Sequence, residues 1–106
     1  MATGRLGTAD LAAGAYTSVY TVPANTFSIV SVNVLNRGYS ALAVRIAVAT
    51  GGTPGADEFI EYDVELLSKG VLERTGIAMS AGQILVVYSS AVSCNAVVFG
   101  IETSSV

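Results

Sequence analysis

The chain has 106 residues and a mass of 10.8 kDa, with five Lys+Arg, eight Asp+Glu, no His and a formal net charge of −3. Charged residues make up 12% and hydrophobic residues 52%, against about 25% charged in an average globular domain. That balance excludes intrinsic disorder, catalysis through imidazole, and nucleic-acid binding by a clustered basic surface. The length suits one domain, with a folded surface of about 5,500 Å² and about 65% of the unfolded surface buried.

Read from the N-terminus, residues 1–14 have no strong periodicity. Thr8 is a possible helix cap and Gly14 a stop, but one or two turns are too short to stand alone. Residues 1–14 are therefore expected to form an extended arm with a turn, and residues 15–106 the folded domain. Turn-forming clusters divide the remainder: Pro23-Ala24-Asn25, Asn36-Arg37-Gly38, Gly51-Gly52-Thr53-Pro54-Gly55, Ser68-Lys69-Gly70 and Ser80-Ala81-Gly82. Gly supplies positive φ at such corners and Pro presets its own φ.

Seven strands are predicted between them, near 15–22, 27–36, 41–49, 58–66, 71–78, 83–90 and 93–102. In the second, Val30, Val32 and Val34 share a face opposite Ser31 and Asn33. In the third, Leu42, Val44, Ile46 and Val48 oppose Ala43, Arg45, Ala47 and Ala49. In the fourth, Ile60, Tyr62, Val64 and Leu66 oppose Phe59, Glu61, Asp63 and Glu65. Period-two alternation puts one face on a core and the other outside. The last two strands differ, because Ile84 to Tyr88 is apolar throughout and Val97-Val98-Phe99 is bulky on both faces. Each is expected to be central or to lie at an interface. The fold class is all-β, a single antiparallel β-sandwich, either jelly-roll or immunoglobulin-like.

Little in the sequence carries chemistry. Cys94 has no second Cys or His with which to bind zinc and reads as a small buried hydrophobe. Glu61, Asp63 and Glu65 recur at every second residue, a flat stripe that does not converge on a cation; Arg45 and Arg74 are the expected neutralising partners. Thr50 to Gly55 lacks the Gly-Lys-Ser/Thr ending of a phosphate loop and precedes a strand, so it reads as a loop between strands. Tyr16, Tyr20, Tyr39, Tyr62 and Tyr88 are scattered, with Tyr16 and Tyr20 expected on one strand face; rim and core packing is their expected role. No serine-nucleophile motif is present. No enzyme, cofactor, metal or catalytic residue is expected. The uncharged stretches Leu11 to Asn36 and Thr75 to Ile101 are interrupted by polar residues at strand and turn spacing, so no membrane span is expected. Nor does the N-terminus show a secretory signal.

The shortage of charge leaves Ala, Ser, Thr, Gly and Val to cover the exterior. Interface cores are depleted in Lys, Glu and Asp, so assembly with other chains is expected, through the arm residues Arg5, Leu6 and Leu11 and the outward row Ala43, Arg45, Ala47 and Ala49. A homo-oligomer is expected, with a trimer favoured.

The runs Tyr16-Thr17-Ser18-Val19-Tyr20-Thr21-Val22-Pro23-Ala24, Val32-Asn33-Val34-Leu35-Asn36-Arg37, Ala47-Val48-Ala49-Thr50-Gly51-Gly52-Thr53-Pro54 and Gly70-Val71-Leu72-Glu73-Arg74-Thr75-Gly76-Ile77 resemble small bacteriophage virion structural proteins. The resemblance spans roughly residues 5–102. It implies a non-enzymatic virion component with a β-sandwich fold, synthesised in the host cytoplasm. The expected function is capsid cement or decoration, bridging neighbouring capsomers through the major capsid protein or other virion proteins, with neither nucleic acid nor membrane as partner. The alternative is a tail-fibre or neck accessory module that contacts a host glycan through loop 50–57 and some of the tyrosines.

Overall fold

The computed structural model describes residues 2–105. Its strands are β1 (Thr3–Asp10), β2 (Ala15–Thr21), β3 (Thr26–Asn36), β4 (Leu42–Ala49), β5 (Phe59–Leu66), β6 (Val71–Met79), β7 (Ile84–Ser89) and β8 (Cys94–Ser104). They form two antiparallel sheets, ordered β1-β8-β3-β6 and β2-β7-β4-β5, packed face to face. Strands β1·β8, β2·β7, β3·β6 and β4·β5 pair as though one long hairpin had been rolled up, with β3·β8 and β4·β7 closing the centres. This is the eight-stranded jelly-roll order, which decides between the two expected sandwich topologies.

The eighth strand lies where an arm was expected. Thr3–Asp10 pairs along β8 from Thr3↔Ile101 to Asp10↔Asn95, and the Leu11 N–H donates to the Cys94 carbonyl at 2.8 Å. Leu11 is buried in the core and Leu6 packs against it. Two apolar anchors and a free edge on β8 are enough to tie the segment down. Gly7 permits the approach to the other sheet: a Cβ there would lie 2.3 Å from the Val19 carbonyl oxygen. Met1 lies outside the described residues.

The core fills the space between the sheets with Val22, Val30, Val32, Val34, Val44, Ile46, Leu85, Val87 and Val98. β-Branched side chains suit this site because their stiff χ1 packs well on a pleated surface. Cys94 is fully buried among them. At one end Asn36 is also fully buried. Its Nδ2 faces the carbonyls of Ser40 (2.8 Å), Leu66 (3.1 Å) and Leu67 (3.2 Å), and its Oδ1 accepts from the Gly38 N–H at 2.9 Å. One side chain thus ties the β3–β4 turn to the β5–β6 turn.

The pairs β3·β8 and β4·β7, at the sheet centres, run without a break in register. Every edge strand, by contrast, carries a bulge. Leu6 is the extra residue in β1 and Val19 in β2. In β6 the register jumps from Ile77 to Arg74 while β3 advances from Val30 to Val32, with Gly76 at φ 69°. In β5 it jumps from Val64 to Glu61 opposite Val44 and Ile46, with Asp63 at φ 52°. Bulges twist an edge and interrupt its row of free N–H and C=O groups, which blocks strand addition by another chain.

Tyr20 is buried and its hydroxyl donates to Glu102 Oε2 at 2.6 Å. Burial raises its pKa above 10.0, and the Glu102 hydrogen bond raises it further; burial likewise raises the Cys94 thiol above 9.0. Both groups are neutral in the fold and ionise more readily in the unfolded chain. Their contribution is therefore complete below the unfolded values and is lost as pH rises through the raised ones. The urea midpoint is expected to fall steadily from pH 8 to pH 11, and Tyr20→Phe to flatten the upper part of that decline.

Candidate functional site

The outward row of β4 is not an open surface. Ala47 and Ala49 are fully buried, and with Val86 they lie beneath Tyr16, Phe59 and Ile84. Across the sheet Tyr16 pairs with Tyr88, and Tyr88 with Arg45. The Arg45 guanidinium stacks 4.3 Å from the Tyr62 ring centroid and 4.5 Å from that of Tyr88. It donates to Asp63 Oδ1 at 2.6 Å and to the Tyr16 hydroxyl at 2.8 Å. These contacts push its pKa up, the Asp63 hydrogen bond most. Tyr16 also lies 5.3 Å from Tyr88, and Phe59 meets Tyr62 edge-on at 5.0 Å. Small alanines here are the floor of a second, thin core roofed by this chain's own aromatic rings.

Bulges in β5 and β2 build that roof. Strict alternation puts Tyr62 with Ile60 and Val64, yet two register shifts in β5, one at Tyr62–Asp63 and one at Ile60, turn the ring onto the outer face beside Phe59. The extra Val19 likewise separates Tyr16, on the outer face, from Tyr20, which is buried. The two do not share a face. The acidic residues of β5 are split by the same irregularity. Asp63 pairs with Arg45 on its own sheet, while Glu61 pairs with Arg74 of the other sheet at 3.0 Å. Both arginines are those expected from the sequence. The Thr50–Gly55 run is a connection between β4 and β5, fastened by the Gly55 N–H donating to Glu58 Oε1 at 2.8 Å. Beside it a cleft of ≈ 360 Å³ is lined by Ala56, Phe59 and Tyr62.

The open apolar surface lies on the other sheet. Along β3, burial alternates residue by residue, leaving Phe27, Ile29, Ser31, Asn33 and Leu35 outward. Register then places Ile101, Phe99, Val97 and Asn95 of β8 on one side of this row and Ala78, Glu73 and Val71 of β6 on the other. Thr3, Arg5, Thr8 and Asp10 of β1 complete the face. Phe27, Ile29, Ile101 and Val71 are 41%, 53%, 57% and 58% exposed. A groove of ≈ 470 Å³ opens at the Phe27 end, lined by Phe27, Ile29, Ala78 and Met79 among others. Asn33 Oδ1, in the middle of the face, is buried and has no hydrogen-bond partner among the described residues. Contiguous apolar patches of this kind mark interaction sites on soluble proteins.

Of the residues expected at an interface, only Arg5 lies on this face, at its β1 margin. Leu6 and Leu11 belong to the core, and Ala47 and Ala49 are buried beneath the aromatic roof. Arg45 is engaged within that roof, and the Ala43 N–H donates to Ser90 Oγ at 2.9 Å. Phe27, Ile29, Val71 and Ile101 were not among the expected residues. The signal that finds them is the apolar character of both faces of β8, a central strand whose Val97 and Phe99 turn outward. The sequence matches no family model, and no curated protein resembles it at a significant level.

Proposed function

We propose that the chain is a non-enzymatic structural protein of a bacteriophage virion, a capsid cement or decoration protein. The observation that carries this reading is the exposed Phe27–Ile29–Ile101–Val71 face on a chain with only 12% charged residues. Apolar patches of this size on soluble proteins are often interaction sites. The bulged edges favour contacts through faces over strand addition. Jelly rolls recur in viral capsid proteins, which agrees with the resemblance of the strand-and-turn runs to phage virion proteins, though fold alone assigns no function. The partner is the major capsid protein or another virion protein, with homo-oligomerisation alongside. Particles made with and without the chain test this. Hundreds of copies per particle, and easier rupture without it, are expected; a handful of copies with unchanged mechanical stability contradicts the reading.

A second reading is favoured by the cleft at Ala56, Phe59 and Tyr62. Tyr62 is 57% exposed, and its ring beside that of Phe59 gives the cleft an aromatic wall suited to the stacking of a sugar ring. On this reading the chain is a tail-fibre or neck accessory module that contacts a host glycan. Tyr62→Ala would then abolish adsorption to host cells while leaving the fold intact, because the ring lies on the surface. Unchanged adsorption removes the reading.

A further inference from the structure

We infer that the outer face of β1-β8-β3-β6 is covered by a second copy of this chain, related by a two-fold axis that runs along the strands. The inference rests on the reading of this face as an assembly surface and names its occupant.

Size permits the pair. Four strands about 4.8 Å apart and about eight residues long at 3.3 Å each give a face of about 500 Å². Two such faces together bury about 1,000 Å², at the threshold of a specific interface. Bulges on all four edge strands leave face-to-face packing as the favoured route for this chain to associate with itself.

Charge selects the axis. Arg5 lies on the β1 margin, in the row of Phe99 and Ser31. Glu73 lies on the opposite, β6 margin, in the row of Val97 and Asn33. Among the described residues neither has an ion-pair partner, whereas Arg37, Arg45 and Arg74 each have one. A two-fold axis in the interface and across the strands would set β1 over β1 and bring the two Arg5 side chains together. An axis along the strands sets β1 of each copy over β6 of the other. Arg5 then faces the bulge at Thr75 and Gly76, where the one side chain is a small threonine, one row or about 7 Å along the strand from Glu73. An extended arginine covers that distance. The contact occurs twice by symmetry, as an isologous interface requires.

The same operation lays β3 of one copy over β8 of the other. Ile29 then meets Ile101, and Ser31 meets Phe99, since each pair shares a row in the single chain. Asn33 falls beside the axis, close to its own symmetry mate, since it shares a row with Val97 of β8. A trimer is the oligomer expected from the sequence, but this face is complementary to itself and fits a two-fold pair.

Light scattering on the size-fractionated full chain tests the inference, using wild type, Arg5→Glu, Glu73→Arg and the double variant. At about 100 μM, wild type is expected at twice 10.8 kDa. Each single reversal is expected to weaken the pair about tenfold, since a symmetric rim contact becomes a repulsion at two places. The double variant is expected to return to within about threefold of wild type. A wild-type monomer or trimer, indifference to either single reversal, or failure of the double variant to recover each overturns the pairing. Arg5 and Glu73 are exposed, and circular dichroism confirms that each variant is folded. Particle association is scored separately: a dimer that binds no particle overturns the virion reading and leaves the pairing intact.

Discussion

Ala47→Glu is expected to unfold the protein. A residue read from alternation as part of a flat, outward row is fully buried beneath Tyr16 and Phe59. A glutamate there cannot reach water without lifting the aromatic roof, and its carboxylate would find Arg45 already bound to Asp63 and Tyr16. An unpaired buried charge costs several kcal/mol, about as much as the whole stability of a domain this size. Loss of the cooperative thermal transition and of soluble protein is the expected result. The comparison is Ile29→Asp, on the exposed face, which is expected to keep the wild-type melting temperature within a few degrees. Equal tolerance of both substitutions would show that the aromatic roof is not packed as described.

Asn36→Asp is expected to be nearly as damaging, and in a pH-dependent way. The side chain fits, but the amide nitrogen that faces three carbonyls becomes an oxygen. Ionised, it would present negative charge to three carbonyl oxygens in a buried site, with an expected cost of about 3–5 kcal/mol. Protonated, it regains one donor. The folded-state pKa of the new carboxyl therefore lies above its unfolded value of about 3.9. Stability is highest below that value and falls as pH rises through the raised one. Urea midpoints between pH 3 and pH 7, measured beside an Asn36→Ala control that lacks the added titration, check the sign. A midpoint that rises with pH more steeply than the control's would contradict the role given to Nδ2.

Most of the sandwich was legible because alternation and turn chemistry are local. Val30, Val32 and Val34 had to share a face, and Asn36-Arg37-Gly38 had to turn. The predicted strand limits differ from those observed by no more than two residues at either end. What escaped detection depends on neighbours. Thr3–Asp10 has no pattern of its own and becomes a strand because β8 offers it an edge. The bulges of the four edge strands leave little trace in the sequence: a single extra residue reverses inside and outside beyond it. That is why Tyr62 was placed on the wrong face and Tyr16 and Tyr20 were expected on the same one. The same limit hid the exposed apolar face. Small residues on β4 looked open because the rings that cover them come from β2, β5 and β7. The open face of the other sheet could be seen only once β3 and β8 were placed side by side.

The two outer faces therefore do different work. One is roofed over its alanines by this chain's own aromatic rings and held by Arg45. The other has no such roof, and its apolar residues lie between strand edges shaped to refuse a further strand.

Thiol labelling of single cysteines placed at Ile29 and Tyr62, in the isolated assembled state and after dilution to monomer, tests most directly which face is covered. Cys94 is fully buried and contributes no background while the chain is folded. In the assembled state position 29 is expected to be protected and position 62 to react at the rate of a free surface thiol, with both reacting freely after dissociation. Equal labelling of both positions in the assembled state, or protection of position 62 alone, would contradict an assembly built on the β1-β8-β3-β6 face.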